Sequence, residues 1–321
     1  MESIPVPSVQ SMVAADGGAH VPPRYLRLRD EAVATDGETE IPVIDFQRLQ
    51  LGHDEEMARL DRACQDWGFF QLINHSVPED VVDGMKANAR GFFELPAETK
   101  QQFAQEKGSL MKLDWADILF LNTLPVQNRN FRFWPNKLAN FRSALDKYSA
   151  AVKSIVDFLL VTVANNLGVD PEVIANKCGT DGIQAADKVI GFSPHSDSDL
   201  LTLVLQVNEV DGLQIKRNGT WFPVRPLEGA FIVNVGDILQ IFTNGRYKSA
   251  EHRAVVDTKK ERLSIAAFHS PSVHAVIGPL MEMVAHEDEA VYKSIGHDEF
   301  MKLFFSSKLE GKSFLDRMKK L

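Results

Sequence analysis

The chain has 321 residues, 44% of them apolar, with a formal net charge of −9 and a pI near 5.5. That composition supports a packed core, argues against disorder, and offers no basic surface for nucleic acid or an anionic membrane. Two cysteines in a chain this long exclude a disulfide framework, and no apolar run reaches the ~20 residues of a spanning helix. The amino terminus has no basic stretch followed by an apolar one. A cytoplasmic, monomeric protein of one or two domains is the expectation.

Residues 1–40 scatter Pro and Gly with weak periodicity and read as a flexible, loosely held arm. Ile41 to Phe46 suits a strand. From Glu55 to Trp67, Met57, Leu60, Cys64 and Trp67 recur at helical spacing. Cys64 is therefore expected as a buried thiol, and Gly68 stops the helix. Phe69 to Asn74 suits a strand. Pro78 with Glu79 and Asp80 starts a helix whose core face is Val81, Val82, Met85, Ala89, Phe92 and Phe93. Leu95 to Lys100 starts another turn or short helix. In the loop Asn128 to Pro135, Phe131, Phe133 and Trp134 suit a substrate entrance or the core equally well. The longest helix is expected over Leu138 to Leu167, closed by Gly168.

Strands dominate the remainder of the chain. Val189 to Phe192, Leu200 to Val207, Phe231 to Val235, Ile238 to Phe242, Ala254 to Val256 and Leu263 to His269 are rich in β-formers. Gly212 to Val224 reads as a hairpin around Asn218-Gly219, a pair that accepts the positive φ of a tight turn. Phe300 to Leu321 reads as one charged amphipathic helix. Many short strands at regular spacing suggest a sandwich or barrel.

The chemistry centres on Phe192-Ser193-Pro194-His195-Ser196-Asp197. On an extended strand His195 and Asp197 leave the same face. His252 comes later, with enough intervening chain for strands to return it to that pair. Two imidazoles and one carboxylate on one side of an ion match the facial arrangement of non-haem Fe(II) oxygenases. Further on, Arg262 and Ser264 share a face in an apolar run, and a guanidinium with a hydroxyl suits a small carboxylate. Each residue also has a plainer reading. In a chain with nine histidines His195 alone suits a core ring, Asp197 suits a turn cap between two serines, and Arg262 suits an exposed strand. Asn234-Val235-Gly236-Asp237 is most simply a turn. His75, His269 and His274 read as structural, and His20, His53, His286 and His297 as surface residues.

From about Ile41 to the carboxyl terminus the sequence resembles the plant 2-oxoglutarate- and Fe(II)-dependent dioxygenases. It is closest to the branch of norcoclaurine-synthase-like and alkaloid-demethylase-like enzymes. The resemblance rests on Ile41-Pro42-Val43-Ile44-Asp45, Trp67 to His75, Asp114-Trp115-Ala116-Asp117, His195-x-Asp197, Asn234 to Asp237, His252 to Val255 and Arg262-x-Ser264. It implies an α+β fold, a double-stranded β-helix (jelly-roll) core with flanking helices and a helical amino-terminal region. The implied divisions are the arm 1–40, a mainly helical region 41–168, the jelly-roll core 183–275 and a helical segment 276–321. It also implies iron held by His195, Asp197 and His252, and 2-oxoglutarate held by Arg262 and Ser264. O2 would be consumed, with ascorbate helpful, and succinate and CO2 released as a small plant metabolite is hydroxylated, demethylated or desaturated. Aminocyclopropane-carboxylate oxidase relatives use the same triad with ascorbate instead, which is an alternative.

One departure stands out. The family carries an Asn-Tyr-Tyr-Pro strand and a Cys-Pro before its His-x-Asp, and the first Tyr contacts 2-oxoglutarate. Here Cys178 to Val189 runs straight into Ile190-Gly191-Phe192, and no residue inherits that role. The stretch Gly108 to Trp115 is also short for the family. Two clean absences read as skipped coding segments. The expectation is a missing core strand with its neighbours' backbone exposed, and a shortened, weak or silent family member as the alternative.

Overall fold

The computed structural model describes residues 8–16, 33–34, 40–103, 117–179, 184–188, 192–257, 260–285, 289–307 and 313–320. Alternating side chains give every sheet two faces, and here both faces of the larger sheet are used. It comprises β1 (Val43–Asp45), β2 (Phe69–Ile73), β3 (Leu121–Leu124), β4 (Gln184–Lys188), β6 (Leu201–Gln206), β9 (Phe231–Val235) and β11 (Ser264–His269). Their order is β1-β2-β9-β6-β11-β4-β3. A second sheet holds β5 (Phe192–His195), β7 (Leu213–Arg217), β8 (Thr220–Pro223) and β10 (His252–Ala254) in the order β5-β10-β7-β8. Together the two sheets make the jelly roll.

On the outer face Phe70, Leu72, Leu203, Leu205, Val233, Val235, Ile265 and Ala267 join the large core. Their helical partners include Tyr148, Val152, Ile155 and Leu159 of α6 (Phe141–Leu167). On the inner face Phe69, Val204 and Ile232 meet Leu213, Ile215 and Phe222 of the second sheet. Burial of each such side chain stabilises by roughly 1.5–3 kcal/mol. Helix α6 has the length and mean hydropathy to cross a membrane by itself, yet half of its most apolar window is buried inside this fold. It ends where Gly168 turns left-handed at φ 68°. Gly68 does the same at φ 64°, just past α3 (Asp54–Asp66), and a Cβ there would lie 1.8 Å from Lys248 O. Cys64 is buried, as its helical stripe requires.

Several expectations change. The slot beside β11 is not vacant: β4 pairs with Ile265–His269 on one side and with β3 on the other. Gln-Ala-Ala-Asp-Lys has weak β-propensity, but two neighbours with unmet backbone groups impose the extended state. Ile238–Phe242 is helical, within α8 (Asp237–Phe242), because a short run buried on all sides has no periodicity to separate helix from strand. The carboxyl-terminal stretch is two helices, α10 (His297–Ser306) and α11 (Ser313–Arg317). A small two-stranded antiparallel sheet of β12 (Val276–Ile277) and β13 (Ile295–Gly296) precedes them. The arm is tied down in its described parts. Ser8 Oγ and the backbone N–H groups of Val9 and Gln10 donate to the Asp117 carboxylate, which caps α1 (Val9–Asp16). Val33 bridges to Trp221.

Trp134 belongs to the core, while Phe131 is half exposed. His297 is buried rather than on the surface and donates through Nδ1 to Ser272 O at 2.8 Å. His53 and His274 are exposed. His20, His286, the Gly108–Trp115 stretch and some ends of the expected divisions lie outside the described residues.

His269 is structural, on the outer face of β11, and its Nε2 has no partner among the described residues. Burial, with Lys153 adding to it, pulls its pKa down to about 3, so the folded protein holds the ring neutral. A depressed histidine pKa contributes stability above pH 6.5 that is lost as pH falls toward 3. The acid limb of chemical denaturation is expected to lose up to about 5 kcal/mol through this ring. A His269→Leu variant lacks that portion, which urea titrations at stepped pH will show.

Candidate metal centre

Strand register brings the two histidines together. β5 and β10 are antiparallel, and His195 pairs directly with His252. Cross-strand partners share a face, and the ring centroids lie 4.3 Å apart. Phe69, on the facing sheet, meets His252 edge-on at 5.2 Å. His195 Nδ1 donates to Ser193 O at 2.8 Å and His252 Nδ1 to Ala250 O at 3.1 Å. A carbonyl can only accept, so Nδ1 carries the proton in both rings and Nε2 presents its lone pair. Both Nε2 atoms face Asp197 Oδ1, at 3.6 Å from His195 and 3.5 Å from His252.

Asp197 reaches that position differently from the extended-strand expectation. β5 ends at His195, and Asp197 lies in the loop beyond it. Its carboxylate is held by the large sheet. Thr202 Oγ1 donates to Oδ2 at 2.6 Å and Asn234 Nδ2 donates to the same oxygen at 2.7 Å. One oxygen is thus saturated and the other aimed at the rings. Burial alone would push this carboxyl up. The charge of the facing rings when they are protonated, together with the two donors, outweighs it, and the carboxyl stays below its usual range.

The loop is clamped by the β9–α8 turn, which the sequence marks as no more than a connection. Asp237 N–H donates to Asp197 O, Gly236 N–H to Leu200 O, and Ser196 Oγ to Asp237 Oδ2. A Cβ on Gly236 would sit 2.0 Å from Asp199 O, so only glycine lets the two backbones meet. Thr202 is brought to the site without any sequence pattern that singles it out, and Asn234, Ser196 and Asp237 lie in quoted motifs without a role being readable for them. Asn234 to Asp237 do figure among the family-like motifs, and a polar run entering a buried strand is the available signal.

Arg262 faces neither solvent nor an acid. It is 4% exposed, donates through Nη1 to Ser264 Oγ and through Nη2 to Gln206 Oε1, both at 3.0 Å. Its Nε has no partner among the described residues. Burial lowers its pKa to about 10, with Asp211 pulling the other way, so it is still a cation at neutral pH. A buried cation with an unused donor and no carboxylate in ion-pair range among the described residues is unfinished without an anion. The three facing donors, Nε2, Nε2 and Oδ1, all lie within 4.8 Å of one another. Two imidazole nitrogens and one carboxylate oxygen on one side fit Fe(II) with open positions opposite.

Comparison with known proteins is decisive here. Residues 41–137 match the family of the non-haem dioxygenase in morphine synthesis N-terminal region, and residues 171–271 match the 2OG-Fe(II) oxygenase superfamily. The chain is 43% identical to S-norcoclaurine synthase 1 of Coptis japonica over 343 residues, covering 99% of this chain and 97% of the relative. The chain belongs to the 2OG-Fe(II) oxygenase superfamily. It is likewise 42% identical to oxoglutarate-dependent flavonoid 7-O-demethylase 1 of Ocimum basilicum, covering 99% and 92% of the two chains. The crystal structure of JOX2 in complex with 2OG, Fe and JA superposes with a TM-score of 0.89 at 31% identity, covering 99% of each chain. The oxygenase is thus a 2-oxoglutarate-dependent dioxygenase with a jelly-roll core, and Fe(II) and 2-oxoglutarate are its cofactors.

The hydrogen bonds on Asp197 Oδ2 make a specific demand. Removing them in a Thr202→Val, Asn234→Ala double variant is expected to weaken Fe(II) or Co(II) binding about 10- to 100-fold. Anaerobic metal titration of the purified protein measures this.

Proposed function

We propose that His195, Asp197 and His252 hold the Fe(II), and that Arg262 with Ser264 holds the distal carboxylate of 2-oxoglutarate. The observation that carries this is the aimed Asp197 oxygen between two imidazoles of set tautomer. Bound together, the metal and 2-oxoglutarate supply oxidising equivalents from O2, with release of succinate and CO2. The protein's own part is placement. Ser193 and Ala250 carbonyls orient the rings, Thr202 and Asn234 orient the carboxylate, and Arg262 selects a dianionic co-substrate by charge and geometry. The substrate in this reading is a small, partly aromatic plant metabolite that is hydroxylated, desaturated or, as the names of several relatives suggest, O-demethylated.

A second reading draws on one sequence observation. The tyrosine that the family pattern places before His-x-Asp has no counterpart here. The clamp on 2-oxoglutarate then consists of Arg262 and Ser264 without that third contact. Such a protein turns over weakly, or only retains the fold.

The expected result is Fe(II)-dependent decarboxylation of 2-oxoglutarate by the purified chain, absent from a His195→Ala control. Arg262→Ala should raise the KM for 2-oxoglutarate about 10- to 100-fold, the worth of a charge-assisted contact. Release of 14CO2 from labelled 2-oxoglutarate reports both. Equal release from wild type and His195→Ala would leave the silent reading standing.

A further inference from the structure

Arg262 is held by three consecutive residues at the point where β6 ends. Val207 N–H donates to Leu263 O at 2.8 Å, Asn208 Nδ2 donates to Glu261 O at 2.6 Å, and Leu263 N–H donates to Asn208 Oδ1 at 2.9 Å. The backbone on both sides of Arg262 is thereby fixed. Arg90 of α4 (Glu79–Glu94) in turn donates to Val207 O at 2.5 Å. Gly212 leaves room for the stem of the guanidinium, since a Cβ there would lie 2.9 Å from Arg262 Cδ.

The third residue, Gln206, holds the guanidinium itself. Its Oε1 accepts from Arg262 Nη2 at 3.0 Å, and its Nε2 donates to Val210 O at 2.6 Å. A guanidinium can only donate and a carbonyl can only accept, so the two partners fix which way the amide points. A glutamate at this position would have nearly the same shape, reach the same Nη2 and pair with it as an ion. Arg262 has no acidic side chain in ion-pair range among the described residues, and Asp211, which acts on it from further away, is exposed. The amide thus orients the fork and leaves its charge uncancelled in a buried place.

We propose that Gln206 is a positioning residue for 2-oxoglutarate: its amide sets the direction of the Arg262 fork and, being neutral, keeps the site in need of an anion. This deepens the reading in which Arg262 and Ser264 take the distal carboxylate, and rests on it. Gln206 acts through Arg262. Selection of a dianionic 2-oxo acid over a monoanionic one is then written at position 206 as well as at 262.

The test loads the full chain with Fe(II) under nitrogen and titrates it by calorimetry with two probes. 2-Oxoglutarate carries the distal carboxylate, and 2-oxopentanoate has a methyl group in its place. Wild type is expected to prefer 2-oxoglutarate about 100-fold. Gln206→Glu supplies the counter-charge from within, and should weaken 2-oxoglutarate about 100-fold while moving 2-oxopentanoate by less than about threefold. Gln206→Met keeps the volume and removes both amide bonds, and should weaken 2-oxoglutarate alone, by about threefold to tenfold. In an Arg262→Ala background neither substitution should weaken 2-oxoglutarate further. A packing lesion would lower both probes together. Equal losses on the two probes, a full preference retained by Gln206→Glu, or losses that persist without Arg262 overturn the proposal. Where Gln206→Glu melts early, Gln206→Met with the Arg262→Ala background decides. Arg262→Ala alone separates the two claims. If it loses the preference while Gln206→Glu keeps it, only the role of Gln206 falls. If it keeps the preference, or wild type shows none, the assignment of the distal carboxylate to Arg262 falls as well.

Discussion

Two short hydrogen bonds to a single oxygen decide what this fold can do. Thr202 and Asn234 sit on adjacent strands of the large sheet and both donate to Asp197 Oδ2. A carboxylate left to itself in a loop would turn either oxygen toward any donor, and its proton affinity would rise as it became buried. Anchored as it is, it offers one oxygen in one direction while remaining ionised. The two histidines, fixed by register and by their own carbonyl acceptors, complete the set. Strands β5, β6, β9 and β10 thus meet around this carboxylate.

The division of labour between the sheet faces is a consequence of strand alternation. The outer face is sealed by α6 and its neighbours and supplies most of the burial. The inner face is apolar where it meets β7 and β8, and polar where Thr202 and Asn234 hold Asp197. Arg262 and Gln206 show the cost of that arrangement, since a guanidinium with an unused donor is held in a dry place. Such a group is tolerated where an anion will complete it. Thr202, which holds Asp197, and Gln206, which accepts from Arg262, lie on the same strand, β6, and Gln206 pairs in register with Ser264. The distance between Thr202 and Gln206 is thus set by backbone geometry rather than by flexible side chains.

The shortened segment before His195 is instructive about strand formation. A sequence without β-branched residues, Gln-Ala-Ala-Asp-Lys, takes a place inside the sheet between two other strands. Backbone pairing supplies the order, and the neighbours β3 and β11 enforce it. What substitution of the backbone cannot restore is a particular side chain, and the family's tyrosine has no heir. Architecture and chemistry are separable here.

How much is legible beforehand divides along physical lines. Donor types and their intervals are readable, because His195, Asp197, His252, Arg262 and Ser264 form a pattern that few other chemistries need. The long α6 and the Asn218-Gly219 hairpin are readable too, since local periodicity and a positive φ leave marks in a sequence. The strand at 184–188, the helical state of 238–242 and the burial of His297 are not, because each is imposed by neighbours distant in the chain. By itself the sequence determined which atoms are available to a metal and an anion. Only the tertiary structure decided which oxygen of Asp197 is presented and which histidine nitrogen, because hydrogen bonds from Thr202 and Asn234, and to two backbone carbonyls, exist only once the strands have paired.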